Sequence, residues 1–178
     1  DFGDLLYATR EHAGTASPTR VVWFGGLGNP DGTTQSDGST KNNTITFVEI
    51  ATTGNAENFG TLPTKLNSAT ASSNGVRGFV MGGQTPSPFS SSDIFTIIFA
   101  TKGDATDFGD NLATSPGYLP NIGTVANRNT AIVAGGVTTN VIQSFSMATT
   151  GQSADFGDLT IARYAPGGVS DSHGGLTE

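Results

Sequence analysis

Apolar residues recur at every second position in three short stretches of this chain: Val48 and Ile50, Ile97 and Phe99, Phe145 and Met147. A period of two predicts strands with one buried face. Upstream of each lies a run that is apolar at nearly every position and ends in a glycine doublet: "RVVWFGG" from Arg20 to Gly26, "RGFVMGG" from Arg77 to Gly83, and "TAIVAGG" from Thr130 to Gly136. Such runs predict interior strands sandwiched between neighbouring sheets, closed where the backbone packs tightly or turns. Small residues precede each run, in "AGTAS" (Ala13–Ser17), "SATAS" (Ser68–Ser72) and "GTVAN" (Gly123–Asn127). Small side chains suit strands that converge on a crowded axis. No helical periodicity interrupts the pattern.

The same order of segments repeats along the chain. Its landmark is "DFGDL" at Asp1–Leu5, which returns as "NFGTL" at Asn58–Leu62, "DFGDN" at Asp107–Asn111 and "DFGDL" at Asp155–Leu159. A protein kinase uses a D-F-G motif once, together with a strand lysine and a catalytic loop. Neither partner is present, and the recurrence excludes the kinase reading. Gly54, Gly103 and Gly151 stand at one offset before the Phe, and Ala51, Ala100 and Ala148 at another, as do Ile45, Ile94 and Ile142. Each unit holds a small-residue strand, a buried strand ending in Gly-Gly, an alternating strand and an outer segment carrying the Phe. Four short strands in a period of roughly 48 residues predict an all-β propeller array. The units are about 6–62, 63–111 and 112–159, with a partial fourth at 160–178. Propellers have about four to eight blades, so three units imply a longer polypeptide or a ring closed by several chains.

Composition narrows the function classes. Glycine is abundant and charged residues make up 13% of the chain, with a net charge of −7. The eight basic residues are scattered, which excludes the clustered Lys and Arg that bind a nucleic-acid backbone. With no cysteine, thiolate metal sites, disulfides and thiol nucleophiles are excluded. No apolar run reaches the roughly 18 residues of a membrane helix, so no membrane insertion is expected. No signal peptide is visible at the N-terminus.

Taken together, these motifs resemble the kelch family of β-propellers: an apolar run ending in a Gly doublet, a following strand, and an aromatic residue near a Leu in the outer strand. Arg10 and Arg163 fall where kelch blades often carry an arginine. The chain departs from that pattern in having Phe where Trp is usual, and only Lys65 and Ser115 stand near the arginine position of the middle units. The segment "ATTGNA" followed by "FG" and Leu, and later by "AR", is similar to repeats in tail-associated proteins of tailed bacteriophages, particularly cyanophages. That resemblance implies a non-enzymatic structural and interaction module of a virion tail appendage. Its partners would be other virion proteins, further blades of the same protein, a host-surface saccharide or further copies of the chain. The alternatives are a cellular carbohydrate-binding or adhesion propeller, extracellular rather than virion-borne, and a propeller hydrolase or lyase with a central site.

Candidate chemistry is sparse. The connections after Gly-Gly vary most, and variable loops on a fixed scaffold carry binding specificity. The first and longest offers Asn29, Asp31, Gln35, Asp37, Lys41 and Asn42 as binding residues; the alternative is a solvated loop. Asp104, Asp107 and Asp110 form the densest carboxylate set, a calcium candidate by oxygen chemistry, although aspartates before Phe-Gly also suit turn capping. Two distant histidines, His12 and His173, supply no triad, and no catalytic residue or cofactor is expected.

Overall fold

The four segments of each unit form strands, and within a unit strands adjacent in sequence pair antiparallel. The computed structural model describes residues 1–28, 40–86, 90–112 and 121–169. The first sheet is a meander of β1 (Ala13–Ala16), β2 (Arg20–Phe24), β3 (Thr44–Glu49) and β4 (Glu57–Thr61). The second contains β5 (Thr70–Ser73), β6 (Arg77–Met81), β7 (Asp93–Ile98) and β8 (Thr106–Asp110) in the same spatial order. The third repeats it with β9 (Gly123–Ala126), β10 (Thr130–Ala134), β11 (Val141–Ser146) and β12 (Ala154–Asp158). The architecture is therefore all-β, three four-stranded antiparallel sheets. Among the described residues there is no helix, and so none long and apolar enough to cross a membrane.

The sheets meet along their first strands, β1 against β5 and β5 against β9. Short side chains allow that approach: Gly14, Thr15, Ala16, Ala71, Ser72, Thr124 and Val125 line a cleft of about 300 Å³, together with Gly168 and Val169. The broader parts of the sheets stand apart and are filled by two apolar clusters. Val22, Phe24, Ile45, Phe47, Phe59, Leu62 and Leu66 meet Val80, Phe95, Ile97 and Phe99 between the first and second sheets. Phe79, Met81, Ile94 and Phe108 meet Ala131, Val133, Phe145 and Met147 between the second and third. Full burial of such side chains stabilises by about 1.5–3 kcal/mol each, so the sheets hold together through these seams.

The recurring Phe occupies the same irregularity in every sheet. Ile45 pairs with Gly60 and Thr46 with Asn58, so Phe59 is the extra residue of a β-bulge. Phe108 is bypassed in the same way between Gly109 and Asp107, and Phe156 between Gly157 and Asp155. A bulge re-aims a side chain and tightens local twist. Here it turns Phe59 and Phe108 into the seams, where they are 3% and 2% exposed. Phe59 meets Phe47 edge-on at 5.7 Å and Phe108 meets Phe79 at 5.0 Å.

The alternating pattern is buried in two units and not in the first. Ile97, Phe99, Phe145 and Met147 are buried, but Val48 is only partly covered and Ile50 is 43% exposed. In the second and third sheets this face packs on the preceding sheet. In the first it carries only the chain leading into β1, so the expectation of burial fails there for want of a neighbour.

Candidate functional site

The glycine doublets and Phe-Gly steps do positional work that places the possible binding surfaces. All six doublet glycines have positive φ, from 57° at Gly25 to 135° at Gly136. A Cβ at Gly25 would lie 2.3 Å from the Leu66 carbonyl oxygen, which belongs to the connection into the next unit. The Gly26 N–H donates to that same oxygen at 2.7 Å, and Gly136 N–H to the Arg163 oxygen at 2.9 Å. Arg163 therefore contributes backbone here, as Arg10 does in exchanging two backbone bonds with Leu27.

At the outer edge, a turn of each unit clips onto the Phe-Gly segment of the one before. Gly54, Gly103 and Gly151 N–H groups donate to the Phe2, Phe59 and Phe108 carbonyls at 2.8, 2.9 and 3.0 Å. Two residues on, Ala56, Ala105 and Ser153 donate to Asp4, Thr61 and Asp110 at 2.8, 2.9 and 2.8 Å. The Asp104 carboxylate adds to the middle clip, accepting from Thr61 N–H at 2.8 Å and Thr61 Oγ1 at 2.9 Å. Asn55 Oδ1 takes the Asp4 N–H in the first.

These bonds account for the carboxylates that suggested calcium. Asp107 Oδ1 accepts the Gly109 N–H at 3.0 Å, the turn-capping role, and Asp1 and Asp155 repeat it with Gly3 and Gly157. Asp110 accepts from Ser92 Oγ at 3.4 Å. Among the described residues no three His, Asp or Glu side chains converge as a metal site. Asp104, Asp107 and Asp110 bond different backbone and hydroxyl partners.

Of the loop candidates, Asn29, Asp31, Gln35 and Asp37 lie outside the described residues. Lys41 reaches across to the second unit, its Nζ donating to the Thr85 carbonyl at 3.1 Å. Asn42 is buried and structural: it accepts from Tyr7 Oη at 3.0 Å and Thr44 N–H at 3.1 Å, and donates to the Gly26 oxygen at 3.0 Å. It ties the returning loop to the doublet and has little left for a ligand. Burial pushes the Tyr7 phenol above its ordinary range.

Beside the middle clip is an outer groove of about 410 Å³, with Arg77, Lys102, Asp104 and Asp107 on its walls and Thr96, Ile98, Thr101, Thr106 and Thr150 between them. Lys102 Nζ is paired with Glu57 at 2.7 Å and stands 4.4 Å from the centre of the Phe47 ring. The salt bridge and charged hydrogen bond with Lys102 hold the Glu57 carboxyl below its ordinary range. The groove thus presents threonine hydroxyls and balanced charges around an apolar floor. The cleft at the first strands has no titratable side chain in its lining.

One recurrent feature has no single residue type to announce it. Glu11, Ser68, Asn121 and Ala165 all adopt positive φ, between 48° and 58°. They form a ladder: Ser68 N–H donates to Glu11 O, Asn121 to Ser68 and Ala165 to Asn121, at 2.9, 2.9 and 3.0 Å. Only the constant offset from the Phe landmark in three of the four marks it in the sequence. Left-handed backbone at non-glycine residues costs free energy, and the ladder of bonds offsets that cost.

This inner rail carries a pH dependence. The Ser68 hydroxyl at 2.7 Å and the Asn67 amide at 2.8 Å hold the Glu11 carboxyl below its ordinary 4.5. Next to it, burial lowers His12 from its ordinary 6.5, and His12 Nδ1 has no hydrogen-bond partner among the described residues. Unfolded His12 takes its proton near 6.5 and folded His12 only at lower pH, so stability falls as pH drops through that interval. Stability from Glu11 is present above 4.5 and is lost as pH falls through its lowered folded value. Melting temperature is therefore expected to fall in two stages on acidification. His12→Phe should flatten the first stage and Glu11→Gln the second in thermal melts recorded across pH.

Comparison with known proteins finds no matching family model and no matching curated protein.

Proposed function

We propose that the chain is a kelch-like β-propeller segment acting as a non-enzymatic structural and interaction module, in a tail appendage of a bacteriophage virion. The observation that carries this reading is the repeated clip: three junctions use the same backbone bonds between a Gly turn and a Phe-Gly segment. A scaffold whose every unit is fixed to the next by backbone is suited to rigid presentation of loops. The first strands converge on small residues, as propeller blades do at their axis. A central catalytic site would need a carboxylate or imidazole there, and the lining of Gly, Ala, Ser, Thr and Val supplies none. Partners on this reading are other virion proteins and saccharides of a host surface.

The outer groove favours a second reading, a cellular carbohydrate-binding propeller, because its threonines and charged side chains of both signs match a polyhydroxylated ligand. Immunogold labelling with antibody against the chain separates the two, applied to particles and to the particle-free fraction of the same source. Label on tails is the expected result. Particles without label, and protein recovered free with saturable glycan binding, would replace the first reading with the second.

A further inference from the structure

We propose that Asn74, in the hairpin turn between β5 and β6, is a self-modifying site. The Gly75 backbone nitrogen attacks the Asn74 side-chain amide and converts that residue to aspartate and isoaspartate. This chemistry is independent of the virion role and of the outer groove.

Asn74 heads the only Asn-Gly step in the chain. With no side chain on the attacking residue, nothing crowds the approach of its nitrogen to the amide carbon. The turn leaves room for the ring that forms. Gly75 has a φ of 85°, both residues are partly exposed, and a Cβ added at Gly75 would have only Pro18 Cδ nearby, at 3.9 Å. The Gly75 N–H makes one long bond, 3.4 Å to Ser73 Oγ. The amide under attack is polarised, because Asn74 Oδ1 accepts from Val76 N–H at 3.1 Å and Arg77 N–H at 2.8 Å. Two donors on that oxygen draw charge from Cγ and meet the negative charge of the tetrahedral adduct.

In the first step Gly75 N gives its proton to hydroxide and forms a bond to Asn74 Cγ. The Cγ–Nδ2 bond then breaks, and Nδ2 takes a proton from water and leaves as ammonia. The product is a five-membered succinimide, closed between groups already held in adjoining residues. Water opens it at either carbonyl: attack at Cγ gives aspartate, and attack at the main-chain carbon gives isoaspartate.

The equivalent turn of the third unit is an internal control. Asn127 Oδ1 accepts from Asn129 and Thr130 N–H groups, each at 2.8 Å. The Asn127 N–H donates to Thr130 O at 3.0 Å, as Asn74 does to Arg77 at 3.2 Å. There the attacking nitrogen would belong to Arg128, whose side chain crowds the approach. The consequences at Asn74 differ by product. Aspartate adds one negative charge to the net −7 and keeps an acceptor for both N–H groups. Isoaspartate inserts a methylene group into the main chain beside the Ser73–Gly78 pair, which closes the β5–β6 ladder. The isoaspartyl product therefore loosens the second sheet.

Peptide mapping by mass spectrometry, on the folded chain aged in mildly alkaline buffer, tests this. Asn74 is expected to convert at least about tenfold faster than Asn127, at a rate that rises with hydroxide. Isoaspartate, identified by electron-transfer fragmentation, should be among the products. Arg128→Gly should bring Asn127 toward the rate of Asn74, and the isoaspartyl fraction should melt below the Asn74→Asp chain. Equal rates at the two asparagines of the native chain, aspartate without isoaspartate, or no gain at Asn127 in Arg128→Gly would overturn the proposal. An isoaspartyl fraction as stable as Asn74→Asp would overturn the loosening of the sheet.

Discussion

Gly109→Ala is expected to lower the unfolding free energy by about 3 kcal/mol or more, because two independent costs coincide at that residue. Its φ of 151° lies where side chains are rarely found, and an added Cβ would sit 1.9 Å from the Gly151 carbonyl oxygen. That oxygen belongs to backbone held by the Gly151–Phe108 bond, so it has no rotamer by which to move aside. Gly157 provides the internal control. Its φ is 146° and no atom lies within 4 Å of the added Cβ, so Gly157→Ala should carry only the backbone cost of about 1–3 kcal/mol. Urea unfolding of the two variants separates the terms. Equal losses would mean that the close approach of the units contributes nothing to stability.

Phe79→Ala should cost about 3–5 kcal/mol, the range for emptying a buried aromatic site. Phe79 is fully buried at the centre of the seam between the second and third sheets, with the Phe108 and Phe145 rings edge-on at 5.0 and 5.7 Å. The neighbours cannot close on the void, since β6 is fixed on both sides by β5 and β7. The seam between the first and second sheets is a separate cluster. In arrays stabilised by nearest-neighbour interfaces, damage stays local. Amide exchange should therefore accelerate first in β9, β10 and β11, with β2 and β3 retaining protection. Uniform acceleration across all three sheets would show instead that the array unfolds as one unit.

The loss at Gly109 originates at the junction between units. The outer edge of a unit is closed by the turn of the unit that follows. That dependence gives the Phe-Gly step its role: the bulge aims the ring into the seam, and the missing side chain lets the next turn approach. The D-F-G residues act as a mechanical joint, with the Asp as its turn cap.

Much of this was legible in the chain before folding. Alternation and continuous apolar runs are local properties, so the strands, their order and the all-β class follow from them. The repeat of the Phe-Gly landmark announced equivalent units, and Asp before Phe-Gly announced the turn cap now seen at Asp1, Asp107 and Asp155. Tertiary structure decided what depends on neighbours. Val48 and Ile50 carry the same alternation as Ile97 and Phe99, yet only the latter pair is buried, because burial requires a sheet on that side. Asn42 reads as a polar loop residue and is buried, because three partners distant or near in sequence converge on its amide. The ladder through Glu11, Ser68, Asn121 and Ala165 uses four different side chains, since what it requires is a backbone angle and a carbonyl from the adjacent unit. Periodicity in the sequence specifies which face a side chain takes; only the packing of one unit on another specifies what that face meets.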